Sequence, residues 1–197
     1  MVSVNINIDK SVVIQPKSSI FIRVMKEQTR LESLDSSPLE FQVKFLNFPE
    51  TAIYFCFADE IPYGCFCNFS AHDFILDNSY WQTSEHYFQA QKFVGTPYFE
   101  KVQKAETPLD AANIGGDRSL PLRPDWRQVK DEFMYKAVLT KFQKHIDIEE
   151  ILLSTGNRLL VETTSHDYYW GCGEDGSGKN RLGQILMEVR TTLRHSN

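Results

Sequence analysis

The chain has 197 residues, a formal net charge of -5 and a pI near 5.6. A content of 42% hydrophobic and 13% aromatic residues suffices for a folded core, and one domain with an appended segment is the simplest expectation. The acidic balance argues against holding duplex nucleic acid by bulk charge, and the lack of a run of about 18 apolar residues argues against a membrane span.

The start, MVSVNINIDKSVVIQPK, lacks the basic residues and apolar block of a signal peptide. Cys56, Cys65, Cys67 and Cys172 form no C-x-x-C pair, and Cys65-Phe66-Cys67 is too close for zinc-knuckle spacing. Buried or idle reduced thiols in a cytoplasmic protein are expected.

Residues 1–50 read as a small β extension or a flexible lead-in, with no chemistry in it. Val2, Val4, Ile6 and Ile8 alternate with polar residues, and residues 19–24 and 39–45 look like further strands. From residue 51 helix signals take over. Strands are expected at 51–57, 74–76 and 159–161. A helix over 82–93 opens at Thr83 or Ser84, and Thr107-Pro108 opens a short one that Gly115-Gly116 stops. A longer helix begins at Pro124 and runs to about His145, with Trp126, Val129, Phe133, Ala137, Val138 and Phe142 at helical spacing. Asp147 caps another short helix, closed by Gly156. The last begins near Asn180 and buries Leu182, Ile185, Leu186, Val189 and Leu193. The class is α+β, compact and mainly helical with a few short strands.

Three stretches could carry chemistry. From Gly173 the chain reads G-x-x-x-x-G-K-N, one residue short of a phosphate-binding P-loop. A P-loop follows an apolar strand, but the preceding residues here are polar and aromatic, and Asn180 replaces the magnesium-binding hydroxyl. The remaining readings are a solvated glycine turn with Asn180 as N-cap, or an anion seat made of backbone N–H groups, Lys179 and Arg181. In the second stretch, Glu85, Gln89 and Lys92 share one face of a helix crowded by Trp81, His86, Tyr87 and Phe88. A carboxyl walled by aromatics has a raised pKa, which suits an acid or base. In the third, Asp167 precedes Tyr168-Tyr169-Trp170 and is either a turn aspartate or a second carboxylate for work at an anomeric carbon. Arg118, Arg123 and Trp126 suit a phosphate and a flat ring, although spacing alone favours Trp126 as a helix anchor.

These stretches together, NFSAHDFILDNSYWQTSEHYFQAQKF (68–93), DRSLPLRPDW (117–126) and HDYYWGCGEDGSGKNRLG (166–183), resemble the NADAR family, which contains the YbiA-like N-glycosidases. The resemblance spans about residues 53–193 and leaves residues 1–50 outside, so 51–197 is the expected NADAR domain. It implies a metal-independent hydrolase of N-glycosidic bonds with no cofactor. It further implies Glu85, Asp167 and Trp126 as catalytic residues. Substrate-binding roles fall on Asn68, Phe69, Gln89, Lys92, Arg118, Trp170, Gly171, Lys179, Asn180 and Arg181. Where the family often carries a cation, this chain has Gly116.

Two substrate classes follow from the resemblance: ADP-ribosylated guanine, in a nucleotide or single-stranded nucleic acid, and the phosphoribosylamino-pyrimidines of riboflavin synthesis. A module that binds ADP-ribose or a nucleotide without cleaving it is the non-enzymatic alternative. No membrane partner and a monomeric chain are expected.

Overall fold

The computed structural model describes residues 48–49 and 51–196. The strands expected at 2–8, 19–24 and 39–45 lie outside the described residues. The expected α+β architecture is present: among the described residues, six α-helices and four strands of three residues each.

β1 (Ile53–Phe55) pairs in parallel with β4 (Leu160–Glu162), in the register Ile53 to Leu160 and Phe55 to Glu162. β4 therefore ends one residue later than periodicity suggested, on a glutamate. β2 (Phe74–Leu76) and β3 (Ser79–Trp81) form a hairpin. Its turn, Asp77-Asn78, has φ of +52° and +57° at its two residues, which Asp and Asn tolerate and tight hairpins require. β3 was not expected from the sequence.

α1 (Ser84–Ala90) continues into a 3-10 turn at Gln91–Phe93. Thr83 is its N-cap: Thr83 Oγ1 accepts from the His86 N–H at 3.3 Å. α2 (Pro97–Gln103) and α3 (Pro108–Gly116) open identically, each with a threonine cap and proline in the first turn. α2 went unanticipated, although Thr96-Pro97 carries the same signal as Thr107-Pro108. α4 (Trp126–Lys144) starts two residues after Pro124. α5 (Ile146–Ser154) starts before Asp147, so Asp147 is not its cap but a first-turn residue whose charge complements the helix dipole. α6 (Arg181–Ser196) buries all five of the residues that periodicity assigned to its inner face.

Two apolar clusters form the core. One joins β1, β4, α4, α5 and α6 around Phe55, Phe66, Phe142, Leu152 and Leu186. The other joins the hairpin, α1, α2 and α3 around Phe74, Trp81, Tyr87 and Phe93. α1 stands between them: Phe88 belongs to the first cluster, Tyr87 and Ala90 to the second. Its remaining face carries Glu85 and Gln89.

A buried cation fixes the segment beside that face. Lys141 Nζ donates to the carbonyls of Cys65 (2.8 Å) and Cys67 (3.3 Å) and to Ser70 Oγ. The carbonyl of Asn68, in the same segment, accepts from the Glu85 N–H at 3.2 Å. Cys65, Cys67 and Cys172 are buried free thiols, as expected, and Cys56 is partly covered. No helix among the described residues is long and apolar enough to cross a membrane.

Candidate active site

Glu85 lies in the first turn of α1 and is almost fully buried. Burial pushes its carboxyl up to about 7; the Gln89 amide and the Lys92 charge pull it down, while Asp167 pushes it further up. Gln89 Nε2 donates to Glu85 Oε1 at 2.6 Å, as the spacing of four on a helix allows. Lys92, in the 3-10 turn, donates from Nζ to the Gly115 carbonyl at 2.7 Å. Its Nζ also lies 5.7 Å from the ring centres of both Phe88 and Trp126. The polar face read from the sequence is thus formed, but inside the protein rather than on a solvated surface.

The second half of the site comes from the end of β4 and the loop after it. Asp167 Oδ1 accepts from the N–H groups of Tyr169 (2.8 Å) and Trp170 (2.7 Å), so this oxygen shapes the turn. Oδ2 has no hydrogen bond to the described residues. Glu162 was not singled out from the sequence. Burial, and then the charges of Asp167 and Glu85, push its carboxyl up to about 8; the Thr164 hydroxyl opposes them. Its Oε1 accepts from Thr164 Oγ1 at 3.3 Å, and its enclosed Oε2 has no partner. Asn68 Oδ1, Ser84 Oγ and Gln89 Oε1 are likewise buried and unpartnered. Buried polar atoms are normally paired, so orphans on and beside α1 mark a surface suited to a polar ligand.

Residues 177–182, just before and at the start of α6, do not offer the backbone N–H groups of the expected anion seat. Each N–H from Ser177 to Leu182 already has an acceptor. Ser177 donates to Asp175 Oδ1, Gly178 to the Cys172 carbonyl, Lys179 to that of Tyr168 and Asn180 to that of Gly171. Arg181 and Leu182 donate to the carbonyls of Tyr169 and Trp170. A nest binds an anion only with free donors, and tertiary folding has used these. The glycines serve close approach: a Cβ on Gly178 would stand 2.5 Å from the Gly171 carbonyl oxygen. The stretch is a brace that lashes the Asp167 turn to the start of α6.

Asn180 extends that brace. It has φ of +51°, and its carbonyl accepts from the Gln184 N–H, as an N-cap residue's does. Its side chain turns back to β4, donating to the Leu160 carbonyl (2.8 Å) and accepting from the Glu162 N–H (2.9 Å). Asn180 therefore positions Glu162. Arg181 is similarly committed, bonding Asp131 (2.7 Å) and Glu188 (2.8 Å). Arg118 is exposed on the turn after α3, with no hydrogen bond or ion pair to a described residue. Arg123 clamps Asp125 at 2.6 Å and covers the Phe133 ring.

The aromatic residues wall the site. Trp126 is buried and nearly parallel to Phe133, with ring centres 6.3 Å apart, so it does anchor α4. Its ring also packs on Phe88, which meets Trp170 edge-on at 5.1 Å. Asn68 donates to Met134 Sδ at 3.3 Å, and Phe69 is half-buried beside it. Among the described residues, no group of three His, Cys, Asp or Glu is placed to hold a metal ion.

A family model described as the NADAR domain matches residues 54–194. The chain belongs to the NADAR family. Among NADAR relatives, the N-glycosidase YbiA of Escherichia coli is 49% identical over 131 residues, 66% of this chain and 82% of that protein. An N-glycosidase of Nostoc punctiforme is 48% identical over 137 residues, 68% of this chain and 88% of its own length. The chloroplastic riboflavin biosynthesis protein PYRR of Zea mays is 33% identical over 86% of this chain but only 28% of that protein. The NMR structure of E. coli YbiA superposes with a TM-score of 0.70 at 44% identity, covering 77% of this chain and 90% of that one. Hydrolysis of an N-glycosyl bond is the activity that NADAR membership and these names support.

Proposed function

We propose that the protein is an N-glycosidase that hydrolyses the bond between ribose C1′ and the amino nitrogen of ADP-ribosylated guanine. The observation that carries this reading is Glu85, a buried carboxyl pushed up to about 7 and near enough to Asp167, in the loop after β4, to feel its charge. An exocyclic amine is a poor leaving group without a proton. Glu85 in its protonated form donates one to the nitrogen as the C1′–N bond breaks and the electron pair moves to nitrogen. Positive charge develops at C1′, and Asp167 stabilises it through Oδ2. Water adds to C1′ and gives its proton to Asp167. Glu162, its carboxyl pushed up to about 8 by burial, limits the negative charge that the site holds beside Asp167. Trp126 walls the pocket, and Trp170 offers a face to the base or ribose.

The relative named for riboflavin biosynthesis supports a second substrate, the phosphoribosylamino-pyrimidines. Both substrates join ribose C1′ to an amino group on a six-membered ring and carry a 5′-phosphoryl group, so the same carboxyl pair serves both. Purified protein offered each substrate in turn tests the proposal by release of the free base amine. Turnover of ADP-ribosylated guanosine, lost in Asp167→Asn, is expected. Binding of both compounds with neither cleaved would make the protein a binding module instead.

A further inference from the structure

The N–H groups of residues 177–182 are taken up by the brace, yet a cation cluster without ion pairs lies on the neighbouring ring. Lys130 Nζ sits 3.0 Å from the centre of the Tyr169 ring and 5.7 Å from that of Trp170. Lys179 Nζ lies 5.1 Å from the same Tyr169 centre. The two ammonium groups are thus no farther apart than these two distances together, which lets one phosphoryl or diphosphate group touch both. Neither has an ion pair with a described residue.

The adjacent acid is not available to them. Asp131 Oδ1 accepts from the Tyr169 hydroxyl at 2.8 Å, and Oδ2 from Arg181 Nε at 2.7 Å. Asp167 Oδ1 is held by two amides. On a chain of net charge -5, two ammonium groups without an ion pair lie together here, and Asp131 and Asp167 are near enough to temper their field.

Lys130 also belongs to the site rather than to a remote surface. Burial lowers its pKa, with Lys179 and Arg127 acting in the same direction and Asp131 and Asp167 opposing them. Lys92 in turn feels the charge of Lys130. The cations therefore run from Lys92, beside Glu85, past Lys130 to Lys179.

We infer that Lys130 and Lys179, both set against the Tyr169 ring, seat the phosphoryl group of the ligand while Trp170 offers its face to the ligand's ring. The identity of that ligand rests on the N-glycosidase reading; the seat itself does not. A lysine ammonium is a point charge with rotatable donors, suited to mono- and diphosphates alike.

Calorimetric titration of the wild type, Lys130→Met and Lys130→Arg with ADP-ribose and with ribose 5-phosphate tests the seat. Met keeps the aliphatic stem over the ring and removes the charge. It should weaken both ligands about tenfold, the worth of one charge-assisted contact, while Arg retains affinity. Tighter wild-type binding of ADP-ribose than of ribose 5-phosphate identifies a diphosphate ligand, and equal binding a monophosphate. A loss below about threefold in Lys130→Met, an equal loss in Lys130→Arg, or no wild-type binding of either ligand overturns the inference. Binding is read without turnover. A protein that cleaves neither N-glycoside yet loses ADP-ribose affinity in Lys130→Met would keep this site and lose the activity reading.

Discussion

Gln89 Nε2 meets Glu85 Oε1 at 2.6 Å inside the seam between the two core clusters, and this contact restrains a carboxyl that burial alone would push higher still. The acid at the centre of the proposed chemistry is therefore set by a neighbour one turn away. Glu85→Gln keeps the shape of the side chain and removes its proton chemistry. It should lower kcat by about 10²–10⁴-fold, the usual worth of a general acid. In the wild type, kcat/KM should fall as pH rises through about 7, as Glu85 loses its proton. A Glu85→Gln enzyme with unchanged kcat, or a wild-type profile flat through pH 7, would remove Glu85 from that role.

Gly115 is tied to the same contact. A Cβ built there would stand 1.8 Å from Gln89 Oε1 and 2.5 Å from its Cδ. Its φ is not in the left-handed region, so Gly115→Ala strains no backbone and even gains helix propensity of about 1 kcal/mol. The amide of Gln89 must move and release Glu85. The Gln89 bond lowers the Glu85 pKa, so its loss should shift the alkaline limb of the rate profile to higher pH while the protein stays folded. An unmoved limb in a folded Gly115→Ala protein would show that Gln89 does not tune Glu85.

Five of the six described helices were legible in the sequence because their signals are local; α2 was missed although Thr96-Pro97 carries such a signal. Thr83, Thr107 and Pro108 announce their helix starts by side-chain chemistry alone, and the inner face of α6 follows from spacing. Glu85 was legible for the same reason, since residues four apart on a helix meet. Glu162 was not, because its burial depends on β4 pairing with β1 from the far end of the domain, and three residues give no periodicity. The glycine stretch invited a phosphate reading because free and occupied N–H groups look identical in sequence. Only the carbonyls of residues 168–172, folded back onto residues 178–182, decide between them.

Glu162 makes a prediction about stability rather than rate. Its folded pKa, about 8, lies above its ordinary value of 4.5. Below pH 4.5 both folded and unfolded states are protonated and nothing is lost. Between 4.5 and 8 the unfolded chain ionises while the folded site stays neutral, so stability falls as pH rises, by up to about 1.4 kcal/mol per pH unit. Glu85 adds the same trend between 4.5 and about 7. Urea unfolding from pH 5 to pH 8 should show declining stability in the wild type and a shallower decline in Glu162→Gln. Equal slopes in the two proteins would mean that Glu162 ionises freely in the fold.

Asn180→Ser, which would complete the G-x-x-x-x-G-K-S pattern of a P-loop, separates the two readings of the glycine stretch. The serine hydroxyl cannot span to both the Leu160 carbonyl and the Glu162 N–H, now held at 2.8 Å and 2.9 Å. Two buried backbone groups lose their partners, at about 1–3 kcal/mol each, and the left-handed backbone at φ +51° suits serine less than asparagine. The variant should melt well below the wild type. With the end of β4 loosened, Glu162 and the Asp167 turn lose their registration and kcat falls with stability. No magnesium-dependent hydrolysis of ATP should appear, because the N–H groups of residues 178–182 remain bonded to residues 168–172 and cannot join a phosphate cradle. ATP hydrolysis gained in Asn180→Ser, or a melting temperature equal to that of the wild type, would refute the brace.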